Sequence, residues 1–287
     1  MKPAYFAKKD RKRGSSNDSV DASDQNSVQA PKGSFERANQ TYSKYLSRDD
    51  NFHHSLIFPG ATRLLDPRRG ERYLDVGCGD GSLAPFVTRV GAQIMGVDVS
   101  PSLIKRGEER RTPGSKYWVG DAAAIPKHFP AEEFSGAVAI LSLQNMPDAR
   151  TVILGLSEVI KAGGRLVIIL NHPVFRIPRQ SGWGWDDGRG LQYRRVDAYL
   201  TANEVRLEMN PGSRGKGPIT YSFHQPISYY LNALSEGGFH LVQTEEWISD
   251  HISNSGPRAR AENRAREEFP LFLALLAVKE SNGESID

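Results

Sequence analysis

The stretch from Arg72 to Gly81 ends in Tyr73-Leu74-Asp75-Val76-Gly77-Cys78-Gly79-Asp80-Gly81 and constrains this chain more than any other. An apolar run passes into a glycine-rich turn. Ser82 to Val90 follows, with Leu83, Phe86, Val87 and Val90 at helical spacing. The pattern predicts strand, turn and helix, the opening of a βαβ nucleotide site. Glycine has no Cβ, so the backbone can turn sharply and a ligand can lie against it. The helix start adds free N–H groups and a positive dipole end. Ser82 stands where a dinucleotide fingerprint has its third glycine, so the spacing is G-x-G-x-G. Asp75, two residues before Gly77, is an awkward neighbour for a pyrophosphate. Asp98 ends a second predicted strand, Gln93 to Asp98, where a carboxylate can take both hydroxyls of a ribose. A turn flanked by carboxylates suits a ligand with an ammonium and a sulfonium better than one with phosphates.

Three further blocks follow: Gly96-Val97-Asp98-Val99-Ser100, Gly120-Asp121-Ala122 and Lys161-Ala162-Gly163-Gly164-Arg165-Leu166. In order and spacing the four blocks resemble the class I S-adenosylmethionine-dependent methyltransferases, of the small-molecule, type 11-like kind, over residues 70 to 170. The resemblance implies an α/β fold: a doubly wound, mostly parallel seven-stranded, Rossmann-like sheet with an antiparallel last strand. It also implies an N-terminal helical cap and a lid inserted after strand five. It implies S-adenosyl-L-methionine as cofactor, with in-line displacement of its methyl group. The cofactor-binding set it points to is Asp75, Gly77, Cys78, Gly79, Asp98, Val99, Asp121, Ala122 and Leu141. Asp75 would meet the ammonium side, Asp98 the ribose, and Asp121 with Ala122 the adenine.

Hydrophobic residues make up 38% of the 287 and charged residues 25%, enough for one large domain with appendages. The expected divisions are a basic and polar tail over 1–33, a domain over 34–279 with an insert at 171–225, and a tail over 280–287. The net charge of +3 does not by itself imply nucleic acid. Lys8, Lys9, Arg11, Lys12 and Arg13 make a basic run that reads as a solvated tail or as an RNA contact. Cys78 is the single cysteine, which excludes an intramolecular disulfide and fits a reducing compartment. Within the turn it reads as a small apolar filler. No apolar run approaches the ~20 residues needed to span a bilayer, and Met1 to Phe6 has no apolar h-region, so a cytoplasmic location without a membrane is expected. No Cys/His/Asp grouping has metal-ligand spacing, so the reaction is expected to need no metal.

Phe35 to Leu65 reads as helical in two pieces, separated at Asp49-Asp50-Asn51 and bent at Pro59-Gly60. In similar enzymes this leading segment folds over the cofactor, which makes Tyr42, Tyr45 and His53 candidates for the acceptor pocket; ordinary helix packing explains them equally well. Ser100-Pro101 opens a helix to Arg111, Lys116 to Gly120 and Phe134 to Leu143 are strands, and Asp148 to Lys161 is a helix closed by Gly163-Gly164. Strand five runs from Arg165 to Leu170. The insert, Asn171 to Gln225, holds Trp183, Trp185, Tyr193, Tyr199, Tyr221 and Phe223, with strands expected at Gln192 to Leu200 and Val205 to Met209. It reads as a lid presenting an aromatic wall to the acceptor, as a grip for a nucleic acid base or a planar small molecule, or as a partner interface or plain packing. Pro226 to Glu236 and Ala259 to Glu268 read as helices, Phe239 to Trp247 and Pro270 to Lys279 as an antiparallel final pair.

Candidate general bases are His172 and His224, then His53, since imidazole titrates near neutrality; each is as readily structural. Leu141 to Met146 lacks the Asn-Pro-Pro-Tyr motif of many amino-methylating nucleic acid enzymes, and no second cysteine is available for attack on a pyrimidine. A small-molecule methyltransferase is therefore the leading function. An RNA methyltransferase and a cofactor-binding protein without catalysis stand as alternatives. A nicotinamide dehydrogenase is disfavoured by the glycine spacing and Asp75. The oligomeric state is left open.

Overall fold

The computed structural model describes residues 51–208 and 219–281. The basic run, the first predicted helix with Tyr42 and Tyr45, and residues 282–287 lie outside them. The described chain opens with a π-helical turn, His53–Ile57, that continues into α1, Phe58–Leu65. Pro59 stands in the first turn of α1, where its missing N–H breaks no bond. Pro59-Gly60 follows the point where π winding gives way to α. Gly60 also lets α1 approach Trp247, because a Cβ there would lie 2.5 Å from the indole.

Strands and helices then alternate: β1 (Arg72–Val76), α2 (Ala84–Thr88), β2 (Gln93–Asp98), α3 (Pro101–Glu109), β3 (Ser115–Val119), α4 (Ile125–His128), β4 (Phe134–Ile140), α5 (Ala149–Val159) and β5 (Ile160–Asn171). Two hairpins follow, β6 (Ser181–Asp186) with β7 (Leu191–Val196) and β8 (Asn203–Glu208) with β9 (Ile219–His224). The chain ends with α6 (Ile227–Glu236), β10 (Phe239–Trp247), α7 (Ala259–Glu268) and β11 (Phe272–Lys279). Seven strands form one sheet in the order β10-β11-β5-β4-β1-β2-β3. β1 to β5 pair in parallel, and β11 runs antiparallel between β5 and β10. The last strand is thus antiparallel, as expected.

Strand order reverses between β1 and β4, and a crevice opens at such a point beyond the carboxyl ends of the strands. Side chains alternate along β1, so Leu74 and Val76 pack with α5 and α6 while Tyr73 packs with α1 and α2. Leu166 to Leu170 in β5 are all buried, as a strand covered on both faces requires.

Several boundaries differ from expectation. α2 has only five residues, and Val90 lies beyond it, 40% exposed rather than on an apolar face. α5 stops at Val159 because Ile160 is already extended and pairs with Phe134 of β4. Gly163-Gly164 therefore lies within the irregular start of β5 and does not close the helix. In the insert, β6 and β9 were not anticipated, and β7 ends at Val196 rather than Leu200.

Candidate functional site

After β1 the chain passes through Gly77, Gly79 and Gly81 at φ of 72°, 55° and 71°, a left-handed conformation that favours glycine. Gly77 is required on a second count, since a Cβ there would meet the Ser142 Cβ at 2.5 Å. The Ser142 hydroxyl donates to the Val76 carbonyl at 2.6 Å and ties the segment after β4 to the end of β1. The turn hangs from β2. Gly77 and Cys78 N–H groups both donate to the Val97 carbonyl, at 2.8 and 3.0 Å, and the Gly79 N–H donates to Asp98 Oδ2 at 2.9 Å. Cys78 fills space beside Gly96, where a Cβ would lie 2.7 Å from its Sγ. Burial, then the nearby Asp75, pushes the thiol pKa well up, which disfavours a reactive thiolate.

Three carboxyl groups crowd this turn, and the structure treats each differently. Asp80 is buried and paired: its Oδ2 accepts from Arg110 Nη2 at 2.6 Å and its Oδ1 from the Ser82 hydroxyl at 2.5 Å. Arg110, at the end of α3, also donates through Nε to the Asp80 carbonyl at 2.9 Å. This pair escaped the sequence reading because no spacing rule links residues 30 apart. Asp98 accepts from Ser100 N–H at 2.9 Å as well as from Gly79, which fixes its carboxylate at the end of β2. Asp75 is buried and its carboxyl makes no hydrogen bond among the described residues. Burial, reinforced by the Asp98 charge, raises its pKa to about 8.

Asp75, Gly77, Cys78 and Gly79 line a solvent-open pocket, with His53 and Phe58 facing them from the leading helical segment. The leading helix therefore covers the glycine turn. Burial, then the His54 charge, lowers the His53 pKa to about 4, so its ring is neutral at pH 7. The remaining residues expected at the site stand at the carboxyl ends of neighbouring strands. Val99 follows Asp98 and is 55% exposed, an apolar side chain open at the rim. Asp121 Oδ1 accepts from Ala123 N–H at 3.0 Å and caps the short Ala122–Ala124 turn after β3. Leu141, just past β4, has φ of 50°, held by its N–H to the Ile169 carbonyl at 2.8 Å and by Asn145 Nδ2 to its own carbonyl at 2.9 Å. Such left-handed strain in a leucine persists only where its surroundings impose it.

The histidines separate. His172 is buried with both ring nitrogens engaged: Nδ1 accepts from Val174 N–H at 3.2 Å, and Nε2 meets Glu246 Oε1 at 2.7 Å. Burial outweighs the Glu246 contact and lowers its pKa. This ring is a strut between the ends of β5 and β10, with both nitrogens engaged where a base was expected. His224 is buried at the end of β9 and donates from Nε2 to the Tyr199 carbonyl at 2.7 Å. Because a carbonyl can only accept, Nδ1 is left as the basic nitrogen. β9 packs against the Leu143–Asn145 turn that follows Leu141. Among the described residues, no cluster of three metal-ligating side chains occurs and no helix is long and apolar enough to cross a membrane.

Residues 74–168 match the family model of a methyltransferase domain. A demethylmenaquinone methyltransferase from Thermobifida fusca is 35% identical over 150 residues, covering 49% of this chain and 63% of that protein. The aklanonic acid methyltransferase DauC from Streptomyces is 33% identical over 147 residues, covering 48% and 65%. The chain thus matches less than two thirds of the length of either curated relative. A solved S-adenosylmethionine-dependent methyltransferase from Mesorhizobium loti superposes with a TM-score of 0.63 at 24% identity, covering 80% of this chain and 99% of that one. The cyclase SpnF superposes with a TM-score of 0.51 at 20% identity, covering 79% and 81%. These two likenesses show the fold, and a cyclase among them means that the fold alone does not fix a reaction.

Proposed function

We propose that this chain, whose residues 74–168 form a class I methyltransferase domain, binds S-adenosyl-L-methionine beside its glycine turn and transfers the methyl group to a small-molecule acceptor. The observation that carries this is Asp75, a buried carboxyl without a hydrogen-bond partner among the described residues, facing a turn stripped of side chains. Such a group favours a cation. An ammonium stabilises the ionised form of Asp75, whereas a pyrophosphate meets the negative charge of Asp98 and holds Asp75 protonated. Gly77 and Gly79 offer backbone, Asp98 a carboxylate for the ribose hydroxyls, and Val99, Asp121, Ala122 and Leu141 the surroundings of the nucleoside. Cys78 shapes the turn from behind.

When bound, the cofactor supplies a methyl group on a positively charged sulfur. The chain's own task is to align the acceptor and keep water out. His53 and Phe58 shield the pocket from above the glycine turn. His224 Nδ1 takes the proton of an acceptor that arrives protonated, its ring held by the Tyr199 carbonyl. The relatives named for demethylmenaquinone and aklanonic acid support an acceptor of small-molecule size. Incubation with methyl-labelled cofactor and a metabolite extract is expected to yield a labelled small molecule and S-adenosylhomocysteine. Label confined to RNA, or cofactor binding with no demethylated product, contradicts the proposal.

A further inference from the structure

We propose that the acceptor is a planar anion, seated in a second pocket between the β6–β7 hairpin and the start of β11; this rests on the methyl-transfer reading above. The pocket is open to solvent and lined by Phe175, Arg176, Trp183, Arg194, Phe269 and Leu271 among others. Its frame is aromatic. Phe269 stands edge-on to Phe175, with centroids 5.4 Å apart, and edge-on to Trp183 at 5.6 Å. Rings in that arrangement offer a flat ligand both faces and edges.

The charge comes from Arg194. Its guanidinium lies 5.0 Å from the centre of the Trp183 ring. Nε donates to the Phe175 carbonyl at 2.6 Å and Nη2 to the Ser181 hydroxyl at 3.1 Å. Both acceptors are neutral. Arg63, Arg110, Arg150 and Arg195 each meet a carboxylate, whereas Arg194 forms no ion pair among the described residues. A guanidinium has five N–H donors in a fixed fork, so donors remain for a ligand. A fork stacked on an indole and lacking an anion matches a carboxylate, enolate or phenolate carried on a ring system. A flexible neutral chain would leave that charge unmatched.

Position joins this pocket to the first. The Arg176 guanidinium lies 5.4 Å from the centre of the Phe272 ring. Phe272 pairs with Asn171 at the carboxyl end of β5, and Phe52 packs edge-on against it at 5.8 Å. Phe52 adjoins His53, which faces Asp75. β11 is three strands from β1, about 15 Å at the usual strand spacing, a distance that an elongated polycyclic molecule spans. The anionic end rests on Arg194 and the reacting end points toward the glycine turn.

The test compares 2-naphthoate with its neutral isostere 2-naphthamide by titration calorimetry on the full chain, with S-adenosylhomocysteine titrated separately. The naphthoate is expected to bind about tenfold more tightly or better, the worth of a hydrogen bond to a charged group. Arg194→Gln is expected to abolish that preference while leaving the heat of nucleoside binding unchanged. Equal affinity for both probes on the unaltered chain, no binding of either, or a preference that survives Arg194→Gln overturns the proposal. The two-probe comparison on the unaltered chain decides even where the variant fails to fold. Failure of the unaltered chain to bind the nucleoside overturns the cofactor reading instead, and the probes still decide the second pocket.

Discussion

Burial and the neighbouring Asp98 charge hold the Asp75 carboxyl at a pKa of about 8, far above an ordinary aspartate. In the unfolded chain the same group loses its proton near pH 4. The unfolded state therefore binds fewer protons between pH 4 and 8, and the stability of the ligand-free chain falls as pH rises through that window. Asp75→Asn is expected to raise stability at pH 8 by on the order of 2 kcal/mol in denaturant unfolding, because it removes an uncompensated buried charge. No gain would mean that the carboxyl has a partner in solution. His53 works in the opposite sense. Its pKa is lowered to about 4, so its contribution is complete above pH 6.5 and is lost as pH falls toward 4. His53→Phe is expected to flatten the acid limb of the stability profile by about 2 kcal/mol, and an unchanged limb would contradict the burial argument. Asp75 and the three glycines are legible in the sequence because residue type alone states their chemistry. His172 and His224 are not separable there, since Glu246, the Val174 N–H and the Tyr199 carbonyl decide which ring keeps a free nitrogen.

Elements carry those side chains to one rim, and two contacts between elements can be tested. The Asp80–Arg110 pair fastens the glycine turn to the end of α3. Arg110→Met is expected to cost about 2 kcal/mol, discounted because the arginine is partly exposed. Adding Asp80→Asn should return part of that loss, and strict additivity of the two changes would show that they do not interact. His224→Ala is expected to lower kcat by about 100-fold with an acceptor that must lose a proton, leaving nucleoside affinity unchanged. His172→Ala is expected to cost about 2 kcal/mol of stability with kcat nearly intact, and the reverse pattern would exchange the two roles. β2, β10 and α7 lie where their sequences place them, at Gln93–Asp98, Phe239–Trp247 and Ala259–Glu268. β6 is masked by Gly182 and Gly184, which weaken a strand signal, whereas β9 was missed although Ile219-Thr220-Tyr221-Ser222-Phe223-His224 alternates apolar and polar residues as a strand does. The end of α5 was misplaced because pairing of Ile160 with Phe134 overrides the usual meaning of Gly163-Gly164.

On the scale of the whole molecule, alternating strands and helices made the parallel sheet legible, and the glycine turn located its binding edge. The acceptor was not legible, because its pocket is assembled from side chains that meet only after folding: Trp183 and Arg194 from one hairpin, Phe175 beyond β5 and Phe269 before β11. One claim underlies the rest, that the sheet edge holds a buried carboxyl awaiting a positive charge. An ammonium bound there draws Asp75 into its charged form, so binding must release a proton at neutral pH. Titration calorimetry with S-adenosylhomocysteine at pH 7, in buffers of different ionisation enthalpy, measures that proton directly. The expected result is release of nearly one proton per nucleoside bound, lost in Asp75→Asn. Binding that releases no proton, or the same release in the variant, would contradict it.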